Sequence, residues 1–314
     1  IEGGVAINAN GKVAFHGEAE SGATDDDAVF TQAGVIAKEG QTLSGGRLLN
    51  EISSSGGVAI NDLDQVAFHG KIEVEGGLFD ELLQVVLTSD GVAAQEGDEL
   101  DGSELAEIKE LGGVAINNAG QVAFHGNVFD FDFGEDEIAA VFTSDGLVAR
   151  VGGTLLDDTI VDAIDLSGGV AINDYGRVAF HGKAGGVRAV FTQDGVVARE
   201  GDTLPDGTVL TQIGLEGGVA INDFDKVAFL GRVVDPEVGP DAADAVLTSD
   251  GLVARVGDNL ADGTTLKEIK DPSFGGIGVA INPYGTEVAF QGNVDDQDDN
   301  QDARIDAVFV GQAP

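Results

Sequence analysis

Four oxygen-bearing side chains at alternate positions, Asp296, Asp298, Asn300 and Asp302, have the spacing with which a loop wraps a hard cation such as calcium. Gln301 stands where the sharp turn of an EF-hand needs glycine, and Ala307 where its bidentate glutamate belongs, so a full EF-hand is excluded. A looser oxygen site for calcium remains, against the alternative of a solvated acidic loop. No cofactor is required by any other motif in the chain.

Other acids gather in three more segments: Asp25, Asp26 and Asp27; Asp130, Asp132, Glu135 and Asp136; and Asp235, Glu237, Asp241 and Asp244. Carboxylate pairs of the glycosidase kind could form among them, although the sequence singles out none. A fourth segment is short and basic, with Lys183 and Arg188. Four histidines, His16, His69, His125 and His181, share one position of an internal repeat, where Leu230 and Gln291 stand in two further copies. Repeat neighbours would hold these rings on the order of 10 Å apart, too far to share a zinc ion whose ligands sit near 2 Å. Leucine at the same position also fits packing better than ligation. Six asparagines, Asn8, Asn61, Asn117, Asn173, Asn222 and Asn282, each precede a turn and are expected to cap it with the side-chain oxygen.

The elements that must hold these residues come from the repeat itself. The phrase Gly-Gly-Val-Ala-Ile-Asn starts at Gly3, Gly56, Gly112, Gly168 and Gly217, with the variant Gly-Ile-Gly-Val-Ala-Ile-Asn at Gly276. Its first valine falls at Val5, Val58, Val114, Val170, Val219 and Val279, giving periods of 53, 56, 56, 49 and 60 residues. Such spacing is too long for one solenoid coil. Each copy predicts about four antiparallel strands: Val-Ala-Ile-Asn, an Asn-x-x-Gly turn, Val-Ala-Phe-His-Gly, then a variable loop and a hairpin such as Ala140 to Gly152. A connector such as Gly201 to Ile213 follows, with Leu204, Leu210 and Ile213 tucking under the next copy.

Val5, Ile7, Val13 and Phe15 put bulk on one face of the first copy, while Ala6 and Ala14 leave the other thin, so neighbouring sheets can nest. The expected fold is therefore all-β: a six-bladed β-propeller forming a single domain over residues 1–314, with repeats near 1–55, 56–111, 112–167, 168–216, 217–275 and 276–314. An open superhelical stack is the competing architecture. The sixth copy is expected to stop after its third strand, at Ala307 to Val310, leaving an edge that Pro314 and short strands protect or that accepts a strand from another chain.

The core Asn117-x-x-Gly120-x-x-Ala123-Phe124-x-Gly126 resembles the NxxGxxAF tandem-repeat proteins, bacterial surface or exported proteins with varied C-terminal anchors. The likeness covers essentially the whole chain and implies export more than any activity. Asp64 and Asp225 replace the turn glycine in copies two and five, and aspartate tolerates the left-handed backbone that such a turn needs.

Composition narrows the function. Fifty-six acidic against 16 basic residues give a formal charge of -40, which repels nucleic acid and favours cations or basic partners. The chain has no Cys, Met or Trp, and it begins at Ile1, as a processed secreted protein would. No apolar run approaches the roughly 20 residues of a bilayer span, so direct membrane insertion is not expected. The leading expectation is a non-enzymatic structural or adhesive propeller, extracellular or on the cell surface, whose acidic faces are bridged by cations. Its partners would be further copies or other surface components. A lectin-like propeller is one alternative, which the lack of Trp weakens, and a carboxylate-dependent hydrolase or lyase is the other.

Overall fold

Strands of alternating Val, Ile or Phe with Ala, broken by Asn-x-x-Gly and Asp-Gly turns, leave no segment with helical periodicity. The computed structural model describes residues 4–21, 24–74, 81–130, 136–214, 218–260, 263–270, 278–295 and 304–314, and every regular element among them is a strand. The strands pair antiparallel in six sheets, one per repeat.

Repeat two shows the plan. Its long second strand, Val66–Val74, pairs on one side with Glu81–Thr88, which pairs in turn with Gly91–Gln95. On its other side lie two short strands end to end: Val58–Ile60 against its first half and Leu48–Ile52 against its second. The second of these is the connector from the preceding repeat. The expected four strands thus become five in repeats two, four and five, because the connector completes the sheet it enters. In repeat three both pieces join as one strand, Ser103–Ile116, with a register shift between Lys109 and Val114.

A bulge recurs inside the connector, between Leu49 and Glu51, Leu105 and Glu107, Leu210 and Gln212, and Leu266 and Glu268. One extra residue turns the alternation by a step, so residues three apart point to the same face. Leu49 with Ile52, Leu105 with Ile108, and Leu210 with Ile213 are accordingly buried, whereas Leu204 is only partly so. A glycine on the second strand makes room for this. A Cβ at Gly126 would lie 2.6 Å from the Glu107 carbonyl oxygen and 3.1 Å from the Phe142 ring, which stacks on Phe124 at 5.7 Å between centroids.

The chain divides into two compact units: Ile1–Gly153 with Val170–Gly176 and Phe274–Gly276, and Thr154–Gly169 with Arg177–Ser273 and Ile277–Pro314. Within the first, the thin face of repeat one (Ala6, Ala14, Val29, Ala37) packs on the bulky face of repeat two (Val58, Val66, Phe68, Leu87) with its connector residues Leu49 and Ile52. Repeat two then offers Ala67, Val86 and Ala94 to Val122, Phe124 and Phe142 of repeat three. Within the second unit, Ala228, Val246 and Ala254 of repeat five meet Val279, Val288 and Phe290 of repeat six in the same way. Bulk nests on alanine, as the alternation predicts.

Among the described residues the sheet of repeat one has four strands, and the sheet of repeat six includes Arg304–Gln312 as its third strand after the connector. Two faces are exposed among these residues. Val5 and Ile7, on the bulky face of repeat one, are 56% and 69% exposed, and Val308 and Val310, on the thin face of repeat six, are 69% and 64% exposed. Their counterparts Val58 and Val86 are buried inside the nests just described.

Candidate functional site

The six asparagines build more than their own turns. Each side-chain oxygen caps its turn as expected: that of Asn61 accepts the Leu63 and Gln65 N–H groups at 3.0 and 2.9 Å, and that of Asn117 those of Ala119 and Gln121 at 3.1 and 3.0 Å. The amide nitrogen then reaches the next repeat. Asn8 donates to the Asn61 carbonyl at 2.8 Å, Asn61 to that of Asn117 at 2.8 Å, and Asn117 to that of Asn173 at 3.0 Å, all buried. In the second unit Asn222 donates to the Gly285 carbonyl at 2.9 Å. Asp64 and Asp225 hold φ of 64° and 61°, so the left-handed position survives without glycine. Asn61→Ala removes two accepted bonds, one donated to the Gln65 side chain and one buried inter-repeat bond, and should cost about 2 kcal/mol in urea unfolding.

The residue after each asparagine forms a parallel ladder. Ala9 N–H donates to Asp62, Asp62 N–H to Asn118, and Asn118 N–H to Asp174, each at 2.8 Å. With both positions committed, the third turn residue faces solvent: Leu63 and Tyr175 in the first unit, Phe224 and Tyr284 in the second, all exposed. The turns of Phe224 and Tyr284 are neighbours, joined by the Asp223 N–H to the Pro283 carbonyl at 3.1 Å. Leu63, Tyr175, Phe224 and Tyr284 form one set only when the turns are aligned by their asparagines.

The four histidines are buried in their sheets. His69 Nε2 lies 3.2 Å from the Gly113 carbonyl of the next repeat, and its ring occupies the space that a side chain at Gly56 would need. Leu230 is buried at the same position. Burial pushes the proton affinity of His16, His69 and His181 down, that of His181 to about 4, because an imidazolium there would lose its hydration. No group of three or more His, Cys, Asp or Glu among the described residues is placed to hold a metal. Asp296, Asp298, Asn300 and Asp302 lie outside the described residues, as do Asp132 and Glu135.

Among acids of the variable loops, Lys38 pairs with Asp26 at 2.9 Å, Arg255 with Asp235 at 3.0 Å and Arg232 with Asp244 at 3.0 Å. The Arg255 hydrogen bond holds the Asp235 carboxyl below its ordinary range, as an acceptor and not a proton donor. In repeat three, Asn127 donates to Glu107 at 3.1 Å and to Glu137 at 3.0 Å. Glu96 is pushed up, chiefly by burial and further by Glu107 and Glu137, while the Gln84 and Ile108 N–H groups oppose the shift. This is where carboxylate chemistry would be sought, yet the half-buried Glu96 also has a structural task. Glu39, Glu96 and Glu200 each accept the N–H of a connector isoleucine, Ile52 at 2.9 Å, Ile108 at 3.3 Å and Ile213 at 3.0 Å. The Glu-Gly that follows the fourth strand in these repeats is the signal that could have identified them.

Solved structures similar to this chain include a protein of unknown function from Dyadobacter fermentans DSM 18053, at 10% identity and a TM-score of 0.35, covering 99% of this chain and 94% of that one. A Penicillium chrysogenum α-L-arabinanase complexed with arabinobiose follows at 11% identity and a TM-score of 0.34, covering 98% and 92%. The polysaccharide lyase Uly1 is matched at 8% identity and a TM-score of 0.30, covering 99% of this chain and 57% of that one. Likenesses this weak say nothing of activity. No curated protein matches the chain. The model of DUF7453, a family of unknown function, matches residues 1–276, and the chain belongs to that family.

Proposed function

We propose that this chain is a non-enzymatic, extracellular structural or adhesive protein whose six sheets close into a β-propeller and whose acidic loops associate through bridging cations. The observation that carries this reading is how the recurring polar residues are used: the asparagines, the turn aspartates and the Glu-Gly acids hold turns, connectors and neighbouring repeats together. Against 56 acidic residues the 16 basic ones leave a formal charge of -40, so close approach of two copies needs counterions. The reading of closure rests on the repeat pattern: a bulky face like that of repeat one and a thin face like that of repeat six nest together between repeats one and two, two and three, and five and six. Export, and a surface component as partner, rest on the resemblance to the NxxGxxAF proteins. Calcium at Asp296, Asp298, Asn300 and Asp302 belongs to the same proposal.

Sedimentation velocity tests it. Millimolar calcium should convert the protein to larger species, a chelator should return it to monomer, and an equal ionic strength of sodium chloride should leave it unassociated. A monomer at high concentration in calcium would overturn the proposal.

A second reading is favoured by Phe224 and Tyr284, exposed on adjacent turns, which together form a stacking surface of the kind a lectin-like site uses. A glycan array that gives signal with the native protein and none with Tyr284→Ala would establish it, whereas a blank array would remove it.

A further inference from the structure

One position of every thin face breaks its apolar rule. It holds His16, His69, His125 and His181 in repeats one to four, Leu230 in repeat five and Gln291 in repeat six. His69 alternates with Ala67 and lies across the sheet from Val86, two of the residues that meet repeat three. His181 stands in the same register against Val190 of repeat four. Leu230 stands so against Val246, inside the nest of repeats five and six.

Backbone walls the ring in. A Cβ at Gly56 would collide with the His69 ring, and one at Gly168 would lie 2.9 Å from His181 Nδ1, so the first glycine of Gly-Gly-Val makes room for the imidazole. The second glycine meets the next repeat. A Cβ at Gly169 would lie 3.2 Å from Gly218 Cα, and the Gly113 carbonyl oxygen lies 3.2 Å from His69 Nε2. His69 and His181 are fully buried, and neither ring nitrogen of His181 has a hydrogen-bond partner. Unpaired polar atoms in such a place are destabilising, and leucine avoids that at the same position. What the imidazole adds is a proton, taken up just below neutral pH once water reaches the ring.

The closed interface has no room for that charge. Burial, the largest influence, disfavours the imidazolium at His16, His69 and His181 alike. At His181, Asp165 favours the charge and Arg188 opposes it. At His69 the Gly113 carbonyl and Glu110 favour it, and at His16 Asp27 favours it while His69 opposes it. The acids do not outweigh the lost hydration.

We infer that this position is an acid-operated latch: below neutral pH a proton taken up by His69 or His181 holds its repeat apart from the next one, while the nest closed by Leu230 stays shut. The sheets themselves persist, because the imidazole takes no part in their ladders.

The chain has no cysteine, so a single introduced thiol reports on a single interface. Val190→Cys places it beside His181 and Val246→Cys places it beside Leu230, both at fully buried valines. Each variant is labelled with dithiodipyridine, a reagent that reacts in acid, at pH 7.5 and pH 5. Taking the ratio of the two labelling rates cancels the thiol's own response to pH. The ratio of the Val190→Cys rate to the Val246→Cys rate should rise about thirtyfold on acidification, the effect of one group with a pKa of about 4 when closed and 6.5 when open. Adding His181→Leu should leave the ratio flat. A ratio that does not change, whether both rates rise or neither does, or a rise that survives His181→Leu, would overturn the inference. Should a cysteine variant fail to fold, amide exchange in the unsubstituted protein decides. The Asp62 N–H crosses from repeat two to Asn118 at 2.8 Å, and the Asp223 N–H from repeat five to the Pro283 carbonyl at 3.1 Å. Protection of the first should fall relative to the second between pH 7.5 and pH 5, and equal changes at both would overturn the inference.

Discussion

Gly126→Ala should destabilise the protein by roughly 3 kcal/mol or more, although it adds a single methyl group to a strand. The new carbon would sit 2.6 Å from the Glu107 carbonyl oxygen, 2.9 Å from Leu105 Cδ1 and 3.1 Å from the Phe142 ring. The backbone oxygen cannot turn aside, because Glu107 pairs with Asn127 and Ile108 with Gly126 in the sheet. Relief would require the connector to lift away, exposing Leu105 and Ile108, which are fully buried. Gly17→Ala, the same change at the equivalent position of repeat one, should be nearly neutral. Urea unfolding of the two variants side by side measures the connector's contact directly, and equal losses would show that the glycine answers to the strand and not to what covers it.

The second large effect concerns pH. His181 is fully buried, with neither ring nitrogen hydrogen-bonded among the described residues, and burial lowers its pKa from 6.5 to about 4. Asp165 opposes the shift and Arg188 adds to it. The unfolded chain therefore binds a proton in a range where the native protein does not. The stability due to this neutral histidine is complete above pH 6.5 and is lost as the pH falls from there toward 4, reaching roughly 3 kcal/mol. His181→Leu, which copies Leu230 of repeat five, should remove that slope. Acid also neutralises carboxylates and relaxes their mutual repulsion, so the informative quantity is the difference between variant and native protein at pH 7 and pH 4.5. A difference that does not change between those two pH values would mean that His181 has the same pKa in the folded as in the unfolded chain.

Much of the fold was legible because the repeat states it six times. The alternation of Val5, Ile7 and Phe15 with Ala6 and Ala14 predicted the nests, and Asp64 and Asp225 were correctly expected to hold the turn. The connector was harder to read. Leu210 and Ile213 stood out as apolar, but a three-residue spacing contradicts strand alternation until the bulge is known, and nothing local announces a bulge. The asparagines were half legible for a similar reason. A side-chain oxygen capping its own turn is a local pattern, whereas the amide bond from Asn61 to Asn117 spans 56 residues and appears only once the sheets are stacked. Glu39, Glu96 and Glu200 escaped notice because acids are so abundant in this chain that three with a structural task do not stand out from the rest.

The most direct measurement is negative-stain electron microscopy of the purified protein, first in a chelator and then in millimolar calcium. Closed, ring-shaped single particles in the chelator, gathering into ordered sheets or filaments when calcium is added, are the predicted result. Open, elongated stacks that grow head to tail in both conditions would contradict both the closure of the six sheets and the role given to cations.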